Sequence, residues 1–383
     1  MHAPLRPSFQ VEWHGLATLE PIASEWHALA ARAIEPNVFY EPAFALAAAP
    51  VFGADAGAVL VRTTGGRLAG LFPARMPRWR GAPHSMVTGW THPFGPLGTP
   101  LVDRDEPEAV IAAWLDHLSR DPALPARLLL PLIPEQGPFA KALDAVLARE
   151  GRRSSAFGHH ERALLAPGAK REGYIERAIS GAKRKKLRHQ RRRLEDLGPV
   201  TLTTTAMADI EAALNDFLML EAGGWKGQAG TAIVSDPAIK DFVRSAIVSL
   251  AAVGQLRIDR LLLDGTAIAA AMTLMSGDTG WYWKIAYNEE LARFSPGVQL
   301  MCDLTESLLA GPHPLRVDSC AAAGHPMIDH VWRERLALSD RLIELRPSVI
   351  PFWLSCRTET LRRSAIAAAK VAIKAARDRI RSR

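Results

Sequence analysis

Cysteine is scarce in this chain of 383 residues: Cys302, Cys320 and Cys356 stand far apart and in no C-x-x-C spacing. That count excludes a disulfide framework and a zinc ribbon, so a reducing compartment, the cytoplasm, is expected. Long apolar runs are missing too. The longest, such as Ala267 to Met275, falls well short of the roughly 20 residues that span a bilayer. Met1 to Gly15 holds no apolar stretch of the kind that makes a secretory leader. A soluble protein without a transmembrane segment is therefore expected. The remaining composition is that of ordinary globular domains, and the length suits two of them.

Acid is absent from one segment and nearly so from another. Lys183 to Arg193 has eight basic residues and no acid, while Arg357 to Arg383 has nine against Glu359 and Asp378. These segments carry +8 and +7 of a total of +7, which leaves the rest of the chain near −8. An acidic body with two basic helical attachments is not a generally basic nucleic-acid-binding surface.

The second half reads most clearly. Tyr174 to Leu197 has the pattern of one long helix stopped by Gly198-Pro199, Val200 to Thr205 alternates as a strand, and Ile210 to Glu221 is an amphipathic helix. Asp236 before Pro237 signals a further helix that stops at Gly254. Strands are expected at Leu256 to Leu263, Thr266 to Met275 and Gly280 to Tyr287, joined at Asp264-Gly265 and Gly277-Asp278. A helix comes next from Pro296 to Ala310, then strands at Leu315 to Cys320 and Leu336 to Leu345. The first half repeats the order, with strands at Ala58 to Arg62, Leu68 to Pro73 and Met86 to Trp90. A helix at Pro107 to Ser119, a strand at Leu128 to Ile133, a helix at Pro138 to Ala148 and an extended Arg153 to Ala166 complete it. The expected fold is α/β, a mixed α+β sheet in two similar halves.

Four stretches carry a resemblance to a known superfamily. They are Leu220 to Gly227 followed by Gly230-Thr231-Ala232, Trp283 to Tyr287, Arg293 to Gly297, and Val317-Asp318 through Gly324 to Trp332. In this order they resemble the GNAT acyltransferases, in particular the CelD/BcsL-type acetyltransferases, relatives of the tandem-GNAT FemABX transferases. The resemblance covers residues 174–345; the first half matches in architecture alone. It implies a degenerate GNAT-like domain at 1–168, a basic linking helix at 169–199, a GNAT acyltransferase domain at 200–350 and a basic helical tail at 351–383. Two departures stand out. Val298 and Gln299 follow the glycine where the family often has a basic residue, and Ile328-Asp329 stands where a Tyr-Lys pair is common.

The implied reaction is transfer of an acyl group from acetyl-CoA, or another acyl-CoA, to an amine of a small molecule or saccharide. The setting the resemblance implies is exopolysaccharide or cellulose synthesis. Arg293, Ser295, Pro296, Gly297 and Val298 form the expected pyrophosphate loop. Free N–H groups and the positive dipole end meet an anion at a helix start, Pro296 wastes no amide there, and Gly297 leaves the backbone open. In the first half Asp103, Asp105, Glu106 and Glu108 crowd the equivalent helix start and would repel a pyrophosphate. That half is expected instead to wall the acceptor cleft with Trp90 to Phe94.

Glu221, in the last turn of its helix, is the candidate proton acceptor, or else half of a solvated pair with Lys226. Trp225 either stacks on substrate or plugs the core. Strict alternation puts Trp281, Trp283, Ile285 and Tyr287 on one face of their strand and Tyr282, Lys284 and Ala286 on the other. Lys284 needs a partner in so apolar a strand, and Asp318 is the candidate. Tyr287 is the candidate acid for the departing thiolate. Trp225, Lys226, Trp283, Lys284 and Asp318 are thus the expected substrate-binding set. His325, Asp329 and His330 lack a further ligand, so no metal is expected. No histidine is placed to activate Cys320.

Two rival readings stand beside this one. The first is transfer from an aminoacyl-tRNA, as in the FemABX relatives, with Lys183 to Arg193 as the RNA contact. The lack of interleaved aromatics there argues against nucleic acid. The second is a non-catalytic scaffold. The C-terminal helix, Ile366 to Ile380 with Lys370, Lys374 and Arg377, is either a frayed tail or a weak contact to an anionic membrane surface.

Overall fold

The computed structural model describes residues 8–77 and 85–381, with side chains to residue 369 and at Ala372. The first half opens with a strand, β1 (Phe9–Gly15), and two helices, α1 (Ala23–Ala31) and α2 (Pro42–Phe52). A meander comes next: β2 (Ala56–Thr63), β3 (Leu68–Arg75), β4 (Val87–Gly89) and the short β5 (Leu101–Val102). Then come α3 (Pro107–Arg120), β6 (Arg127–Pro134), α4 (Pro138–Glu150) and β7 (Ser154–Leu165).

The expected long helix over 174–197 is two helices, α5 (Tyr174–Ala178) and α6 (Gly181–Glu195). Ile179 between them is extended and buried, and the Ser180 side chain caps the second helix. Burial of Ile179 bends the chain where pattern alone runs it straight. The second half then repeats the first: β8 (Val200–Thr204), α7 (Ile210–Gly223), the single turn α8 (Trp225–Gln228) and α9 (Pro237–Ala252). Asp236 caps α9 by accepting the Ala238 N–H at 2.9 Å. The meander β9 (Leu256–Leu263), β10 (Thr266–Ser276) and β11 (Thr279–Tyr287) leads into α10 (Pro296–Ala310), β12 (Arg316–Asp318) and β13 (Glu334–Glu344). A last helix, α11 (Phe352–Arg381), starts against the sheet with Phe352 buried; the side chains of Lys370, Lys374 and Arg377 lie outside the described residues.

One sheet runs through both halves in the order β1-β2-β3-β4-β6-β13-β7-β12-β11-β10-β9-β8, with β5 pairing β3 off this path. The last strands are exchanged. β13, from the second half, lies between β6 and β7, and β7, from the first, pairs β12. On one face, α1 and α2 share a continuous core with α7 and α9, in which Phe39, Phe44 and Trp90 meet Phe217, Phe242 and Trp281. The other face carries two separate cores, one under α3 and α4 and one under α5 and α10.

Candidate active site

The strand pattern opens a wedge in the second half. β11 and β12 run parallel and pair only from Thr279–Arg316 to Trp281–Asp318. β11 then continues to Tyr287, while the chain after β12 turns away. The Ser319 N–H bonds the Ala163 carbonyl on β7, the Asp318 carboxylate accepts the Cys320 N–H at 2.9 Å, and Cys320 takes a left-handed φ of 53°. Residues 282–287 therefore have β10 on one side and a widening gap on the other.

A β-bulge sits in this segment. Met272 of β10 faces Lys284 and Thr273 faces Tyr282, so Trp283 is an extra residue on β11. The bulge corrects the strictly alternating face assignment. Trp281, Trp283 and Ala286 join the core shared with α7 and α9, and Lys284 stands against Phe94 at its edge. Tyr282, Ile285 and Tyr287 go to the core under α10.

The equivalent wedge of the first half is filled by its own chain. β4 and β6 pair only at Val87–Leu128 and Thr88–Leu129, and beyond them Gly98 lies so close to the Pro131 carbonyl that a Cβ there would come within 1.9 Å of its oxygen. Asp103, expected among the free acids at that helix start, is instead buried and ion-paired with Arg32 at 2.8 Å and with Arg67, and Glu108 pairs with Arg149.

Glu221 is neither solvated nor free. Its side chain is only 3% exposed, with Oε1 accepting the Lys226 ammonium at 2.7 Å and Oε2 accepting the Ile233 N–H at 2.8 Å. The chain folds back after α8, through the Thr231 N–H on the Lys226 carbonyl, and this brings Ile233 there. Trp225 is 61% exposed, which overturns its reading as a core plug. Its backbone N–H donates to Glu289 at 2.8 Å, a residue sequence reasoning missed. Trp225, Glu221, Lys226, Tyr287 and Glu289 line one small cleft at the end of β11.

Lys284 does not pair with Asp318. The buried partner of Asp318 is Arg162 of β7, which also donates to the Pro96 carbonyl at 3.0 Å. The register explains the error. Trp281, not Lys284, stands opposite Asp318, and an exchanged strand supplies the arginine. The Lys284 ammonium lies 4.2 Å from the centre of the Phe94 ring and 5.2 Å from that of Trp283, whose indole N–H donates to the Phe94 carbonyl. Phe94, from the first half, thus walls this site. Burial, and then the neighbouring Lys226 cation, push the Lys284 amine down to about 8 against the opposing influence of Glu221 and Cys320.

The loop into α10 is built as a tight turn. Ser295 is left-handed (φ 55°) and its carbonyl accepts the N–H groups of Val298 and Gln299, both at 3.0 Å. Pro296 begins the helix. Gly297 is buried, and its missing side chain faces the Tyr287 ring, where a Cβ would lie 3.1 Å from Cδ1. The glycine therefore lets strand and helix approach each other; its Cα is not the open face expected. Arg293 is exposed above Phe294, with its guanidinium 4.7 Å from the ring centre.

The basic helix α6 docks on this loop. The Gln190 side-chain amide donates to the Arg293 carbonyl at 2.7 Å and to Ser295 Oγ at 3.1 Å, Arg191 reaches Gln299 and Asp303, and Leu194 is buried. Lys185, Lys186, Arg188 and Arg192 remain exposed. Gln190, an amide in the basic run, was a signal that this helix has an inner side. Among the described residues no cluster of three or more histidine, cysteine or carboxylate side chains could hold a metal. Burial raises Cys320 well above the ordinary thiol range, and the Asp318 charge adds to this, which makes it a poor nucleophile.

Comparison with known proteins places this geometry. Residues 181–322 match the model of an acetyltransferase (GNAT) domain, a span that runs from α6 through the wedge. FemX is similar in structure at a TM-score of 0.56 and 10% identity, over 84% of this chain and 95% of that one. The C-terminal domain of a putative lysylphosphatidylglycerol synthetase from Agrobacterium fabrum gives 0.54 at 12%, over 84% and 91%. L-PGS from Bacillus licheniformis gives 0.52 at 12%, over 85% and 93%. At these identities the likeness is one of fold. No curated protein matches the sequence. The chain is thus a mixed α/β protein in which residues 181–322 match a GNAT acetyltransferase domain, and this match supports a transferase.

Proposed function

We propose that the chain transfers an acyl group from acetyl-CoA, or a longer acyl-CoA, to an amine. The observation that carries this reading is the open wedge at the bulge of β11, beside the start of α10. The thioester enters between β11 and β12, where β11 amides without a strand partner meet its carbonyl oxygen. The pyrophosphate lies at the start of α10, with Arg293 as the nearby cation. The amine nitrogen bonds the carbonyl carbon and the carbon–sulfur bond breaks. The Tyr287 hydroxyl, at the end of the same strand, protonates the thiolate. Glu221, with both oxygens engaged, fixes Lys226 and the cleft wall. Trp225, exposed on the rim, gives a flat surface for a saccharide amine, the acceptor class to which the CelD/BcsL-type motifs point.

Thermal unfolding with and without acetyl-CoA and longer acyl-CoAs tests this, for the native chain and for Val298→Glu. Gly297 is less suitable for the variant, because a Cβ there would crowd the Tyr287 ring at 3.1 Å. A first-turn glutamate at position 298 suits the helix dipole while repelling a pyrophosphate. A ligand at 100 times Kd adds about 2.7 kcal/mol to the native chain. The shift is expected in the native chain and absent from the variant. No shift with any acyl-CoA sinks the reading.

The exposed cationic face of α6 favours a second reading, transfer from an aminoacyl-tRNA. It predicts tRNA binding that weakens steeply with salt, and loses slope when Lys185, Lys186 and Arg188 are neutralised.

A further inference from the structure

An amine that attacks a thioester must lose a proton, and the groups around the wedge differ in how free they are to take it. Glu221 is spoken for: Lys226 and the Ile233 amide occupy its two oxygens, and it is buried. Asp318 is held by Arg162 and by the Cys320 amide. Tyr287 packs on Gly297 and carries the proton that the departing thiolate takes. Lys284 differs from all of these. The bulge turns it to the Trp283 side, beyond the last residue pair that joins β11 to β12. Its ammonium rests on the Phe94 and Trp283 rings, and among the described residues it makes no hydrogen bond or ion pair.

From this placement we infer that Lys284 is the proton acceptor of the transfer. The inference rests on the acyl-CoA reading above and gives the proton a destination. The neutral Lys284 amine takes the proton from the attacking nitrogen as the N–C bond forms and the C–S bond breaks. The thiolate is protonated by Tyr287, and Lys284 returns its proton to water.

The groups around Lys284 suit such a base. Lys226 approaches from α8, Glu221 from α7 and the Cys320 thiol from beyond β12. Behind Cys320 the Arg162–Asp318 pair is closed on itself. Burial and Lys226 outweigh the two groups that favour the cation, so the amine is half neutral near pH 8, where an ordinary lysine is almost wholly charged. A base with a pKa near the working pH is the effective kind. Its neutral fraction rises through pH 8, so the rate should rise there and then level.

Two measurements on the full chain decide this. The first is competitive trace labelling with isotopic acetic anhydride between pH 6 and 11, read peptide by peptide. Lys284 is expected to titrate near 8 and to be shielded by saturating CoA. The second tracks thiol release from acetyl-CoA with glucosamine as the amine probe, across the same pH range. The native chain should show kcat/KM rising through pH 8. Lys284→Arg, which keeps the cation, and Lys284→Met, which removes it, should both lose that rise and fall at least about 100-fold. Shielding by CoA together with a native pH profile in Lys284→Arg overturns the base and leaves the acyl-CoA reading intact. Titration of Lys284 beside the surface lysines overturns it equally. Failure of CoA either to shield Lys284 or to stabilise the chain removes the acyl-CoA reading and the inference with it.

Discussion

At the scale of single residues, the site is held by charges that have found partners, and Glu221 shows how. Glu221→Ala strands the Lys226 ammonium and the Ile233 N–H together, one partly and one fully inside. Breaking a buried pair from one side costs about 3 kcal/mol, the lower end of the usual range because Lys226 keeps some contact with water. Glu221→Gln keeps an acceptor for Ile233 and should lose less than half of that in urea unfolding. Equal losses in the two variants would show that the ion pair, not the backbone bond, holds the cleft. The pairing of Glu221 with Lys226 was legible five residues apart in sequence. Its burial was not, because burial comes from the fold-back that brings Ile233 over it. Lys284 was legible as a charge in need of explanation. Its true neighbour, Phe94, stands 190 positions earlier, beyond the reach of any local pattern.

At the scale of elements, local rules worked wherever an element is set by its own ends. The helix Pro296–Ala310 has the bounds its proline and glycine announce, Asp236 caps its helix as expected, and both hairpins turn at Asp264-Gly265 and Gly277-Asp278. They failed where tertiary packing decides, at the break before Ser180 and at the bulge at Trp283. β1, α1 and α2 lie ahead of the stretch that pattern could read, and α2 is too uniformly apolar to show a helical period. The element pairing most hidden from sequence is β7 with β12, and it sets a prediction. Arg162 joins the buried Asp318 carboxylate and the Pro96 carbonyl. Arg162→Met leaves that carboxylate with the Cys320 amide alone, and should destabilise the chain by about 3–5 kcal/mol. Adding Asp318→Asn should recover a large part of the loss, since the charge goes with its partner. A single-variant loss under about 1 kcal/mol, read from the urea midpoint, would mean that the pair is not what joins the two halves here.

At the scale of the molecule, the exchange of β7 and β13 makes the two halves one folding unit. β13 pairs β6 from Leu338–Pro134 to Glu344–Arg127 and β7 from Glu334–Leu164 to Ile343–Ser154, so a second-half strand closes two strands of the first. Glu344 fastens its end through Arg153 at 2.5 Å and Arg127 at 3.3 Å, and Phe352 at the start of α11 lies beneath both guanidinium groups. The core above the sheet likewise draws from both halves, so neither half can bury its apolar face alone. A chain ending at residue 333 keeps every first-half residue and loses only β13, α11 and the link between them. If the halves were independent, its first half would remain folded. Because β13 fills the centre of the sheet, the truncation instead bares both β6 and β7 as long unpaired edges and should aggregate. Fragments 1–168 and 169–383 should likewise be insoluble when made singly, and should recover one cooperative transition when made together. A soluble 1–168 fragment with its own sharp thermal transition would show that the exchanged strands decorate two self-sufficient domains. In that case the wedge in the second half would be set by that half alone.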